Sequence, residues 1–422
     1  MSTPLPTFKS RPEQPTSLSK EEFSDKVRGL LFGAALGDAY GVATEFMTRQ
    51  QAEHFYGKGP IAFGSAAGAH VERDGHRRRW KEGEWTDDTD QQLLLLNTVI
   101  KNAGLVKPAQ FAQSLIDWLK NGFPKLAIDG NQTKLANGIG FTVGQVLRHP
   151  AFLSEPSAAA MAVWMRCGCN LAANGAVMRT ACLGVPFFWD EATVVQQTID
   201  GAAVTHADPR SIVSCVIVTV LVSRMLRGLN KAELEGQHRG RADEHVPLPS
   251  QNRTSSLASN KAGIYQIVQS IIDQYALSIL SIYADDKVVT FEPDLELLQS
   301  HILIGTLRDL DLHNGSTMGY TYKCLGSAVH CFARELTDCE LTQAERAVMN
   351  KSGNTFQGEL FKRIITELTL EAGDADTNCT VAGALLGCRI GYTNLPKDWL
   401  EGLQHSEYLM QVANQLCNVA LP

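Results

Sequence analysis

The sequence predicts an all-α protein, and three observations predict it. Twice, a short cluster of Asp and Thr opens onto a run too apolar to be exposed. The first is Trp85-Thr86-Asp87-Asp88-Thr89-Asp90 before Gln91 to Ile100; the second is Gly373-Asp374-Ala375-Asp376-Thr377-Asn378 before Cys379 to Gly387. Thr or Asp ahead of such a run is a helix-start signal. Glycines at 29, 33, 37 and 41 recur every fourth residue and would line one helix face. The β-branched stretch Ser211 to Arg227 permits a buried strand as well as a helix. It is read as helix because almost every other segment is helical.

The 422 residues suffice for one large domain or two ordinary ones, and 44% hydrophobic content supplies a sizeable core. The formal net charge is −7 and no long basic run occurs, so no nucleic-acid partner is expected. The densest basic stretch, His76-Arg77-Arg78-Arg79, reads as a solvated loop. Ten cysteines are scattered without zinc spacing. Free cysteines suggest a reducing, cytoplasmic setting, with the nucleus as the other possibility. Residues 1–22 read as a disordered leader without an apolar signal core. The longest apolar run, Ile212 to Val222, is too short to span a bilayer, so no membrane partner is expected.

Taken in order, Lys20 to Phe46 forms the first helical region, capped by Ser19 or Ser24. Its glycines cost about 1 kcal/mol each against Ala, so tight packing must compensate. Asp38 lies inside this apolar stretch, where an unpaired carboxylate is costly; it needs a metal-held water or a backbone N–H as partner. Glu45, seven residues on, falls on roughly the same side if the helix continues. Met47 to Glu84 is a long loop with a short helix near Arg49 to Tyr56, placed over the same site. Helices follow at Pro108 to Leu119 and Leu135 to Leu147, the latter ended by His149-Pro150. Asn174-Gly175-Ala176-Val177-Met178-Arg179 is a small-residue loop entering a helix. It reads either as a tight turn or as an offer of N–H groups to phosphate, with Arg179 a buried arginine pairing with one of the acids. Thr205-His206 precedes the buried helix Ser211 to Arg227. Residues 229–262 form a polar insertion. Helices resume at Ile264 to Leu280 and Asp294 to Arg308, Gly319-Tyr320 leads into another, and Trp399 to Ala420 closes the chain. No dinucleotide fingerprint, P-loop, nucleophile elbow or His-Glu-x-x-His motif is present.

The chemistry lies in the two acidic mouths. Capping needs one carboxylate; several so close repel one another unless something positive lies between. Carboxylate and hydroxyl oxygens suit hard cations. Two such mouths facing each other would hold a pair of ions, typically ~3.5–4 Å apart, able to orient a substrate and activate water.

In their order, these motifs resemble the ADP-ribosylglycohydrolase family, including the dinitrogenase-reductase-activating glycohydrolases. The resemblance rests on Gly33 to Gly41 with Glu45, Trp85 to Thr89, Asn174 to Arg179, Thr205-His206 and Gly373 to Thr377, and covers about residues 27 to 395. It implies a single-domain compact orthogonal bundle of a dozen or more helices over residues 23–422. It implies two Mg²⁺ ions, with Mn²⁺ or Ca²⁺ as substitutes, on Thr86, Asp87, Asp88, Asp374, Asp376 and Thr377. Glu45 and Asp87 would be catalytic. Asp38, Gly130, Asn174, Gly175, His206, Gly319 and Tyr320 would contact ADP-ribose. Two departures stand out. Leu171-Ala172-Ala173 replaces a glycine-rich run, and Asp129-Gly130-Asn131 replaces Ile-Gly-Asn.

The resemblance implies a metal-dependent monomeric hydrolase that cleaves the bond at C1″ of the distal ribose of an ADP-ribosyl conjugate. A two-metal phosphatase acting on ADP-ribose 1″-phosphate is one alternative. A non-catalytic ADP-ribose-binding or crystallin-like structural protein is the other.

Overall fold

The computed structural model describes residues 10–64, 74–126, 134–228, 261–283, 289, 291–337 and 340–422. Among these residues every regular element is helical, and only isolated bridges pair extended backbone. The α-helices are α1 (Lys20–Gly41), α2 (Arg49–Tyr56), α3 (Asp87–Lys101), α4 (Pro108–Asn121), α5 (Phe141–Leu147), α6 (Pro156–Arg166), α7 (Val177–Thr180), α8 (Glu191–Ala202) and α9 (Pro209–Arg227). They continue with α10 (Lys261–Ile271), α11 (Leu277–Leu280), α12 (Leu295–Ile302), α13 (Thr321–Phe332), α14 (Gln343–Ser352), α15 (Phe356–Thr369), α16 (Ala375–Ile390), α17 (Lys397–Gly402) and α18 (Ser406–Ala420).

The glycine repeat of α1 explains the architecture. α1 and α16 make the most extensive helix–helix contact in the molecule. They run antiparallel with their backbones touching. A Cβ added at Gly29, Gly33 or Gly37 would fall on the carbonyl oxygen of Gly387, Gly383 or Cys379, and one at Gly41 would lie 2.5 Å from the Ala375 carbonyl oxygen. Reciprocally, a Cβ at Gly383 or Gly387 would strike the carbonyls of Gly33 and Gly29. The propensity cost of these glycines is thus offset by contact that no larger residue allows. The consequence is positional: antiparallel packing sets the C-terminal end of α1 beside the N-terminal end of α16.

α1 starts as its sequence suggests. The Ser19 hydroxyl accepts from Glu22 N at 3.1 Å, and the Glu22 carboxylate accepts from Ser19 N at 2.9 Å, a reciprocal capping box. Residues 20–22, assigned in the sequence to the leader, therefore belong to α1. Before it, Thr16 donates its hydroxyl to the Leu226 carbonyl at 2.6 Å, so this segment is tied to the end of α9. α9 is apolar and long enough, at 19 residues, to pass as a membrane span, yet 89% of its apolar window is buried inside the fold. It is the core helix the β-branched run left open.

Three expected boundaries are corrected. The helix expected from Leu135 begins only at Phe141. Gly138 has φ +90°, and its α-carbon packs against the Asp87 carboxylate where a Cβ would collide, so this segment is a loop shaped by the site. The expected closing helix is two, broken at His405 with φ +58°. The expected Asp294–Arg308 helix stops at Ile302. The polar insertion lies almost wholly outside the described residues, and Lys261 already belongs to α10.

Candidate functional site

α3 opens the site. Thr86 caps it, accepting from Asp88 N at 3.3 Å. The mouth is held by Asp38 of α1, which is fully buried. One Asp38 oxygen accepts from Thr86 N at 2.9 Å and the Thr86 hydroxyl at 2.8 Å; the other accepts from Thr89 N at 3.0 Å and the Thr89 hydroxyl at 2.6 Å. The buried acid has found the backbone N–H partner it needed, with two hydroxyls besides. Asp90 turns the other way, accepting from Trp85 Nε1, Trp118 Nε1 and Lys134 Nζ at 2.9, 3.0 and 2.7 Å. Lys134 therefore neutralises one acid of the cluster, and Asp87 and Asp88 are left without a cation against them among the described residues.

α16 supplies the opposing mouth. Backbone pairing brings Glu45 to it: Phe46 N donates to the Gly373 carbonyl at 2.6 Å, and Gly373 N to the Met47 carbonyl at 3.1 Å. As a result Glu45, Asp374 and Asp376 each bring a carboxylate oxygen within 4.8 Å of one another. The Thr377 side chain lies near enough to Asp88 to oppose the rise in its carboxyl pKa, so the two mouths meet here. Asn174 and Gly175 arrive on the loop before α7. This loop pairs with the segment before α13 through Asn174 N to the Gly319 carbonyl at 3.0 Å and Thr321 N to the Ala172 carbonyl at 2.9 Å. Asn174 Nδ2 donates to Asp374 at 2.8 Å. Gly319 lies against the same carboxylate, and Tyr320 is next in the chain. His206 is buried beside Gly175. Every expected site residue within the described part of the chain thus belongs to one neighbourhood, while Gly130 lies outside the described residues.

The electrostatics are those of crowded anions. Burial first, then the charges of Glu45 and Asp38, pushes the Asp87 carboxyl well above the usual range. Asp88 is raised by burial, Asp38 and Asp87, and Asp376 by burial, Glu45 and Asp88. Burial also raises Glu45, against the opposing pull of His76, and raises Asp374. Asp88 Oδ2 and Asp376 Oδ1 are buried with no hydrogen-bond partner among the described residues. Orphaned carboxylate oxygens at a focus of negative charge fit a hard divalent cation, since the clustered ligand groups are carboxylates.

Sequence reasoning missed the groups that hold these acids. Of the stretch His76 to Arg79, expected to be solvated, Arg78 and Arg79 are exposed, while His76 and Arg77 fold back onto the site. His76 Nε2 lies 2.7 Å from Glu45 Oε2. The buried Arg77 donates to the Glu45 and Ala43 carbonyls. The expected pairing of Arg179 with an acid is also indirect, because Gln91 intervenes between Arg179 and Asp87. No local signal marks His76 and Arg77, whose partners Glu45 and Ala43 lie more than thirty positions away.

A family model described as ADP-ribosylglycohydrolase matches residues 19–421. A protein named ADP-ribosylarginine hydrolase Tri1, from Serratia proteamaculans, is 23% identical over 420 residues, covering 97% of this chain and 85% of that protein. A protein of the same name from Pseudomonas putida is 25% identical over 228 residues, 51% of each. Among solved structures, one titled an ADP-ribosylglycohydrolase-related protein complex matches with a TM-score of 0.57 at 19% identity. It covers 95% of this chain and 100% of that one, a likeness of fold.

Proposed function

The chain belongs to the ADP-ribosylglycohydrolase family and is a hydrolase, and from that premise we propose that it releases ADP-ribose from ADP-ribosylated arginine with the help of two Mg²⁺ ions. The observation that carries this reading is the meeting of the two acidic helix mouths, with orphaned oxygens on Asp88 and Asp376. The arginine linkage draws on the names of the two hydrolases to which the chain is similar.

In this reading Thr86, Asp87, Asp88, Asp374, Asp376 and Thr377 hold the cations. When bound, they supply a Lewis acid that orients the distal ribose hydroxyls and lowers the pKa of water. The chain's own residues do the rest. Asp38 fixes the α3 mouth. Asn174 holds Asp374 and, with Gly175, Gly319 and Tyr320, borders the ADP-ribose. Glu45, held by His76 and by the Arg77 contact to its carbonyl, would take a proton from the attacking water as the bond at C1″ breaks and the leaving group departs.

The test is a product assay with arginine-linked, serine-linked and 1″-phosphate ADP-ribose, in Mg²⁺ and then in EDTA. Mg²⁺-dependent release from the arginine conjugate is expected, reduced more than about 100-fold in Asp376→Asn. Release of phosphate alone, or full turnover in EDTA, counts against it.

A further inference from the structure

Arg179 is a fully buried cation that makes no ion pair among the described residues. Its guanidinium lies over the Phe111 ring, 5.1 Å from the centroid. Nη1 donates to Gln91 Oε1 at 2.8 Å and to the Gly175 carbonyl at 3.0 Å; Nη2 donates to the Thr205 hydroxyl oxygen at 2.6 Å. A guanidinium has donors and no acceptor. Each neighbour must therefore turn an oxygen towards it.

That requirement propagates in two directions. With Oε1 committed to Arg179, Gln91 must point its amide nitrogen away, and Nε2 lies 2.8 Å from Asp87 Oδ2. Asp87 is thereby held as an acceptor with its other oxygen left over. On the other side, Thr205 receives from Arg179 and keeps its own proton to give. His206 Nδ1 lies 2.8 Å from the Thr205 oxygen. If the hydroxyl donates to Nδ1, the single proton of a neutral imidazole sits on Nε2. His206 Nε2 is the buried atom with no partner among the described residues, and it lies against Gly175. Burial, then the Arg179 charge, holds the His206 pKa well below its ordinary value, consistent with a neutral ring.

We propose that Arg179 sets the polarity of two hydrogen-bond chains, so that Asp87 keeps an oxygen for a cation while His206 presents a fixed Nε2–H donor to an oxygen of the bound ligand. Naming that ligand ADP-ribose rests on the function proposed above. Gln91, Arg179 and Thr205 are positioning residues here. The core alternative is a histidine packed for shape alone, whose tautomer is indifferent.

The experiment is ¹⁵N spectroscopy of the histidine rings in the full chain, with His206 assigned by its loss in His206→Gln, alongside calorimetric titration with ADP-ribose and Mg²⁺. Wild type should show Nε2 protonated and Nδ1 bare from about pH 6 to 8. Thr205→Val removes the donor to Nδ1; it should mix the tautomers and weaken ADP-ribose binding about tenfold. Thr205→Ser should restore both. A wild-type His206 carrying its proton on Nδ1, or on both nitrogens, overturns the proposal, and that spectrum needs no variant to fold. So does a Thr205→Val protein with unchanged tautomer and affinity. The expected tautomers with no ADP-ribose binding in wild type would uphold the polarity and defeat the functional reading instead.

Discussion

Asp38, expected to contact ADP-ribose, spends both carboxylate oxygens on four hydrogen bonds that decide where α3 begins. All four partners are donors, so only a group that accepts on both sides satisfies them. Asp38→Asn keeps the shape and turns an NH₂ towards either the Thr86 pair or the Thr89 pair. Setting donors against donors in a buried place costs about 2–4 kcal/mol. The mouth should then shift, and because Thr86, Asp87 and Asp88 sit on it, Mg²⁺ affinity measured by calorimetry should fall about tenfold or more. Unchanged affinity in a folded Asp38→Asn protein would mean that α3 is held by its own cap alone. Asp90, by contrast, spends its oxygens on two indoles and Lys134 and belongs to the scaffold. Its neighbours Asp87 and Asp88 look the same in sequence. Only the fold shows which of these acids is paired with a cation.

The α1–α16 seam ties stability to the site. Gly33 cannot accept a methyl group without striking the Gly383 carbonyl, and both partners are helix backbone that cannot yield. Gly33→Ala should therefore destabilise by about 3–5 kcal/mol or prevent folding. Gly315→Ala, where a Cβ meets nothing within 4 Å, should leave the melting temperature unchanged. Thermal melts of the two variants side by side check this, and a Gly33→Ala protein as stable as wild type would show that the seam can open. The glycine repeat was legible because it is periodic and its partner has the same pattern. Helix starts were legible where a cap announces them, as at Ser19, Thr86 and the Thr48 that precedes α2. Helices α6, α8, α14 and α15 went unread, although Thr342 and Thr355 cap the last two. The 135–140 segment misled because its apolar residues fit a helical period. Gly138 is there for closeness to Asp87, a reason that lies 51 positions upstream. Separations of 44 and 31 positions from their partners likewise hid Lys134 and His76.

Across the whole molecule the buried acid cluster is a cost that the remaining core must bear. Asp87, Asp88 and Asp376 all have carboxyl pKa values raised by burial and by one another. A carboxyl whose folded pKa exceeds its unfolded value favours folding fully only below the unfolded value, and that contribution is lost as pH rises through the folded one. The metal-free protein should therefore lose stability from this cluster as pH climbs above the ordinary carboxylate range. The loss is superposed on the opposite trend from Glu191 and Asp398, whose pKa values are lowered by nearby cations and hydrogen bonds despite burial. The proposed Mg²⁺, by binding the folded state, would offset the repulsion and should add about 2.7 kcal/mol at a hundred times its dissociation constant. The gain in melting temperature on adding Mg²⁺ should thus grow from about pH 5 to pH 8. Asp376→Asn separates this from general salt effects. It removes one repelling charge and keeps the volume, so in EDTA at neutral pH it should melt roughly 1–4 °C above wild type. In Mg²⁺ it should lose most of the gain that wild type shows. A variant that melts lower than wild type in EDTA would mean that Asp376 is already paired without a cation, and that its orphaned oxygen is not what draws one in.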